Sequence, residues 1–143
     1  MQINSFILTV LGSLLFTAGS VFAGSSASEL KDYTDIQELL AKSTFDGVSD
    51  SAKKLSADAK ANHQSDLSKA SDQLAEAKDL ASARDQFVKV SKLMIPLAKS
   101  EKNKDYDVMY CPMKKARWVQ RTGAVANPYY GTGEMLECGV KEN

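Results

Sequence analysis

The chain has 143 residues, and its 18 Lys and Arg balance its 18 Asp and Glu, so it carries no formal net charge. That balance argues against nucleic acid or an anionic membrane surface as a partner, because binders of either show a basic excess. A single His and no recognisable nucleophile–base motif leave little for hydrolytic chemistry, so an enzyme is not expected.

Residues 1–23 contain no charged side chain. A mostly apolar run over 6–16 is followed by Ala18, Gly19 and Ser20, then by Val21-Phe22-Ala23. This pattern reads as a secretory signal peptide cut after Ala23, although its first residues lack the usual Lys or Arg. The apolar run is short for a membrane anchor, and no Cys stands near the cut for lipid attachment. The expected location is periplasmic or otherwise exported, with no membrane attachment after cleavage. Residues 24–143 then form the mature chain, about 120 residues, enough for one domain with its own core. Export also means an oxidising compartment, in which two cysteines can pair.

The mature chain has two unlike halves. Residues 26–100 are rich in Ala, Ser, Lys, Asp and Leu, with Gly47 the only Gly and Pro96 the only Pro. That composition favours helix. Apolar spacing of three and four resolves four segments. Tyr33, Ile36 and Leu40 mark the first, flanked by Leu39. Val48, Ala52, Leu55 and Ala59 mark the second, with Asp46 as its expected N-cap. Leu67, Ala70, Leu74 and Ala77 mark the third. Leu80, Ala83, Phe87, Val90, Met94 and Leu97 mark the fourth.

Polar Ala61-Asn62-His63-Gln64 separates the second segment from the third. The third and fourth run on in phase, and a break at Lys78-Asp79 rests on Asp79 as a cap. Pro96 removes a helical hydrogen bond and is expected to kink the fourth segment near its end. Residues 99–107 read as a charged, exposed link. The fold expected from this pattern is all-α. It is an antiparallel bundle of about four helices over 28–100, followed by an irregular or short-stranded metal-binding tail over 105–143.

The tail holds the strongest functional signal. Cys111-Pro112-Met113 is mirrored by Met135-Leu136-Glu137-Cys138, and these are the only cysteines in the chain. Thiolate and thioether are soft donors that suit Cu(I) or Ag(I) better than zinc, magnesium or calcium. Cys111 and Met113, at i and i+2, would share a face of an extended strand. Met135 and Cys138, at i and i+3, would share a helical turn. The turn formers Asn127-Pro128-Tyr129-Tyr130-Gly131-Thr132-Gly133 between them allow the chain to fold back.

A Cys111–Cys138 disulfide, with the methionines as filler, is the competing reading of the same spacing. It would stabilise the domain by roughly 3.5 kcal/mol. Loss of metal could itself permit oxidation, so the two states are compatible. Trp118, Tyr129 and Tyr130 read chiefly as packing between tail and bundle. A sharper reading sets the Trp118 ring over the bound cation. His63, in the helical half, is not expected to be a ligand. Lys114, Lys115 and Arg117 read as a solvated loop rather than a docking patch.

Tyr110-Cys111-Pro112-Met113, Trp118, Asn127-Pro128-Tyr129-Tyr130-Gly131 and Met135-Leu136-x-Cys138-Gly139 together resemble a bacterial domain of formerly unknown function. That domain occurs alone in exported proteins and appended to periplasmic adaptor subunits of copper/silver efflux systems. Asp79-Leu80, Arg84, Phe87 and Ser91 are similar to its last-helix pattern, and the resemblance spans roughly residues 30–141. It implies a helical bundle with a metal-binding tail, Cys111, Met113, Met135 and Cys138 being the candidate ligands, and it places the metal reading above the disulfide. Gln86 stands where many members carry His, and the Thr132-Gly133-Glu134 spacer is about one residue longer than usual. The barrel, lipoyl and hairpin domains of a full adaptor are absent from this sequence, so the chain is expected to act alone.

The function expected is binding of Cu(I) or Ag(I) in copper handling, sequestration or efflux, with a copper-efflux or copper-chaperone protein as the exchange partner. The alternative is a helical interaction module locked by the Cys111–Cys138 disulfide and without a metal role.

Overall fold

The computed structural model describes residues 25–100, 104–133 and 135–142. The segment read as a signal peptide lies outside them. Four helices come first: α1 (Ser25–Ala41), α2 (Val48–Ala61), α3 (Ser65–Ala75) and α4 (Leu80–Ser100). Three strands follow: β1 (Tyr106–Cys111), β2 (Ala116–Arg121) and β3 (Val140–Glu142). They form one antiparallel sheet in the order β2-β1-β3. The all-α expectation is therefore corrected to α+β. Among the described residues, no helix is long and apolar enough to cross a membrane.

The helical half follows its apolar stripes. Tyr33, Ile36, Leu40, Val48, Ala52, Leu55, Ala59, Ala83, Phe87, Val90 and Met94 are all fully buried. Asp79 caps α4: its Oδ1 accepts from Ser82 N–H at 2.7 Å while Ser82 Oγ accepts from Asp79 N–H at 3.2 Å. This reciprocal pair satisfies donors that the first turn leaves open, and it breaks α3 from α4 where the stripe alone would run on. Asp46 does not cap α2. That role falls to Gly47, whose left-handed φ of 86° admits the chain to the helix without a side-chain bond. Helix α4 continues through Pro96 to Ser100.

The sequence leaves the tail as irregular or short-stranded without resolving its strands, for a physical reason. A half-exposed strand alternates apolar and polar residues, but a strand covered on both faces does not. In β1 the consecutive residues Asp107, Val108 and Met109 are all buried, and in β2 so are Trp118, Val119 and Gln120. Residue 107 is thus not the end of an exposed link. Its buried carboxylate takes the ammonium of Lys141 on β3.

Sheet and bundle share one core. Strand β2 packs on α4 and α1, and a run of rings crosses the junction. Tyr33 stacks on Phe87 at 4.8 Å between centroids, Phe87 meets Tyr129 at 6.2 Å, and Tyr129 meets the Trp118 edge at 6.0 Å. The buried polar atoms here are paired. Tyr33 Oη accepts from Val119 N–H and bonds Ser91 Oγ, and Tyr129 Oη donates to Arg117 O. Both phenols are held well above their ordinary pKa, chiefly by burial.

Bonds from the bundle also pin the loop 122–133 that follows β2. Gln37 Nε2 donates to Ala126 O at 2.6 Å. Arg84 donates to Pro128 O at 2.9 Å and to Leu40 O at 3.0 Å. Gly131 sits against this clamp with φ of 67°, where a Cβ would stand 2.1 Å from Ser43 Oγ and 2.2 Å from an Arg84 nitrogen. Gly131→Ala is expected to destabilise the fold by about 1–3 kcal/mol through left-handed strain and overpacking. A thermal melt checks this, and a wild-type midpoint would show that the clamp yields freely.

Candidate metal centre

Pairing in the sheet brings the two halves of the sulfur motif together. Tyr110 pairs with Val140 across β1 and β3. Cys111, one residue after Tyr110, and Cys138, two residues before Val140, therefore lie at the same end of the sheet. Their sulfurs are 3.9 Å apart, both as free thiols. Cys111 is fully buried at the end of the central strand, and Cys138 is half-buried in the segment leading to β3.

Each cysteine is set by its own turn. Pro112 has no N–H to continue the ladder, so the chain turns through 112–115, with Lys115 in the left-handed region at φ 54°. Within that turn Lys114 N–H points at Cys111 Sγ at 3.4 Å, and Lys114 Nζ ties the turn to Asp85 of α4 at 3.0 Å. On the other side, Cys138 N–H donates to Met135 O at 3.1 Å, closing a single turn with the i, i+3 spacing of this pair.

The methionines are less drawn in than the cysteines. Met113 lies in the 112–115 turn beyond the end of β1 and not on a shared strand face, and it is 67% exposed. Met135 is half-buried. The structure thus brings the two thiols into contact, with one thioether on the turn beside each. Burial raises the Cys138 pKa, and the adjoining Cys111 thiol raises it further, while the Met113 backbone opposes the shift. Among the described residues, no three His, Cys, Asp or Glu side chains converge as a metal-binding group.

The aromatic residues of the tail pack it. Trp118 is fully buried, its Nε1–H donating to Gln120 Oε1 at 3.0 Å. Its ring lies so close under Gly139 that a Cβ there would stand 2.5 Å from Cη2. Glycine after Cys138 is thus required by the indole beneath it. Tyr129 joins the ring chain, and Tyr130 packs at its margin. His63 is exposed on the α2–α3 turn. The basic run divides: Lys114 reaches Asp85, while Arg117 forks onto Glu142 over the Tyr110 ring.

Sequence reasoning missed Asn127 as more than a turn former. It is fully buried, and its Nδ2 donates to Cys138 O at 2.6 Å while its own N–H donates to Leu136 O at 2.7 Å. Its Oδ1 accepts from Tyr129 N–H at 2.9 Å. One side chain therefore fastens the Cys138 arm to the packed Tyr129. An Asn before Pro reads locally as a turn signal, and nothing in the flanking residues reveals a partner eleven positions away. Asn127→Asp keeps the shape but loses the donor, and is expected to cost about 1–3 kcal/mol. A melting temperature equal to wild type would show that the amide does not hold the arm.

Comparison of the chain with family models, with curated proteins and with solved structures returned no match.

Proposed function

We propose that this is an exported protein that binds one monovalent copper or silver ion at the sheet end, between Cys111 and Cys138, with Met113 and Met135 as supplementary donors. The observation that carries the reading is the contact between two thiols at 3.9 Å, each with a methionine on its own turn. Two thiolates at that spacing need only small adjustments to share an ion at metal–sulfur distances, and a two-thiolate set is soft. Thioethers bind without losing a proton, whereas the thiols must release theirs. The likeness of the tail to a domain found with copper/silver efflux adaptors points the same way. The role that follows is sequestration, or handover to an efflux or chaperone protein, rather than catalysis.

Titrating the reduced chain with Cu(I) against a competing chelator tests this directly. One ion is expected to move to each chain, and a chain that takes none from a weak competitor has no such site. The same 3.9 Å contact favours a second reading, a structural disulfide without metal. Thiol counts after mild purification, with and without copper, separate the two: protection of both thiols by the metal belongs to the first reading only.

A further inference from the structure

We propose that the Cys111–Cys138 pair is also a single-turnover, two-electron reductant of cupric ion; the proposal rests on the soft-metal reading for the identity of the cargo. The chain contains no third cysteine, so the pair has one possible disulfide partner within the molecule. The sulfurs are in contact at 3.9 Å, and a bond of about 2.05 Å requires a closing movement of under 2 Å. The two are unequally placed. Cys138 is partly open to solvent and meets an arriving ion first, while buried Cys111 stands behind it as the second electron source.

The surroundings suit such a step. Cys111 is anchored in the central strand and by Lys114 N–H. Cys138 is held by its backbone, its carbonyl accepting from Asn127 and its N–H donating to Met135 O, so the closing movement falls to the two side chains. Met113 and Met135 remain as soft donors for Cu(I) after the thiols are spent.

Two Cu(II) ions each accept one electron and become Cu(I). Both S–H bonds break, one S–S bond forms, and two protons pass to solvent. Pairing matters because a lone thiol can complete the oxidation only by meeting a second chain. Two thiols in one site present each other at an effective concentration in the millimolar range or above.

The test uses the full reduced chain under argon, titrated with Cu(II) sulfate in a weakly coordinating buffer. Cupric electron paramagnetic resonance, free-thiol count and intact mass are followed together. The expected result is loss of the signal of two Cu(II) ions per chain. Both thiols should disappear and the mass fall by two hydrogens, with no cross-link between chains. In Cys138→Ser at micromolar protein only the buried Cys111 remains, so loss of the cupric signal should slow by at least about a hundredfold and no disulfide should form within the chain. A cupric signal that persists in wild type overturns the proposal, whatever the variant does. So does a Cys138→Ser chain, folded by circular dichroism, that consumes Cu(II) at the wild-type rate. Failure here is distinct from failure of the binding reading. Uptake of Cu(I) with an undiminished cupric signal sinks only the reductant proposal, while rapid loss of two Cu(II) in a chain that holds no Cu(I) sinks only the storage role.

Discussion

Cu(I) affinity is expected to fall by orders of magnitude in Cys111→Ser and Cys138→Ser, and by much less in Met113→Leu or Met135→Leu. Serine replaces a soft, ionisable sulfur by a hard, neutral hydroxyl, which removes both charge and covalency from the metal bond. Leucine keeps methionine's volume and removes only a neutral donor. Met113, mostly solvent-exposed, should show the smaller of the two methionine losses. Competition titration of reduced protein measures all four. Four variants that bind as tightly as wild type would refute the site.

The disulfide reading has a different signature: Cys→Ser lowers the melting temperature without metal, and Met→Leu does nothing. The Cys138 thiol also sets a pH dependence. Because burial and the neighbouring thiol raise its pKa, it is protonated in the metal-free chain below that raised value, and binding must expel the proton. Affinity should therefore increase with pH over that range by about tenfold per unit for each proton released, and Cys138→Ser should flatten the dependence.

Phe87→Ala is expected to destabilise the fold by about 3–5 kcal/mol. Phe87 is fully buried on α4, stacked on Tyr33 of α1 and tilted against Tyr129 of the tail. Its loss opens a cavity where bundle and sheet meet and removes both ring contacts, so relaxation from either side has little to bring in. For a chain of this size the melting temperature should drop by more than about 10 °C. Near-ultraviolet circular dichroism should weaken as well, because Trp118 and Tyr129 lie on the same run of rings. An unchanged melt would mean that the ring does not join the two halves.

The helices were legible because their information is local. A period of 3.6 residues places Val48, Ala52, Leu55 and Ala59 on one face whatever lies opposite, and all four are buried. The Asp79 cap depends on Ser82, three positions away, and it too could be read. Asp46 could not, because Gly47 reaches the helix start by backbone conformation alone. A short-stranded tail was legible, but its strands and their pairing into a sheet were not, because covering both faces of β1 and β2 erased alternation. Its third strand is only Val140–Glu142, too short to leave a pattern.

The same division runs through the candidate site. Which atoms are available was decided by the sequence itself: two thiols and their neighbouring thioethers, soft in kind, with Pro112 ending the first strand. Which of them meet was decided only by tertiary structure. Cys111 and Cys138 stand 27 residues apart, and their contact requires β3 to pair with β1 in one register. It requires Asn127 to hold the Cys138 arm and a glycine to sit over Trp118. Donor chemistry is a property of each side chain, whereas convergence is a property of long-range pairing, whose partners share no local signal.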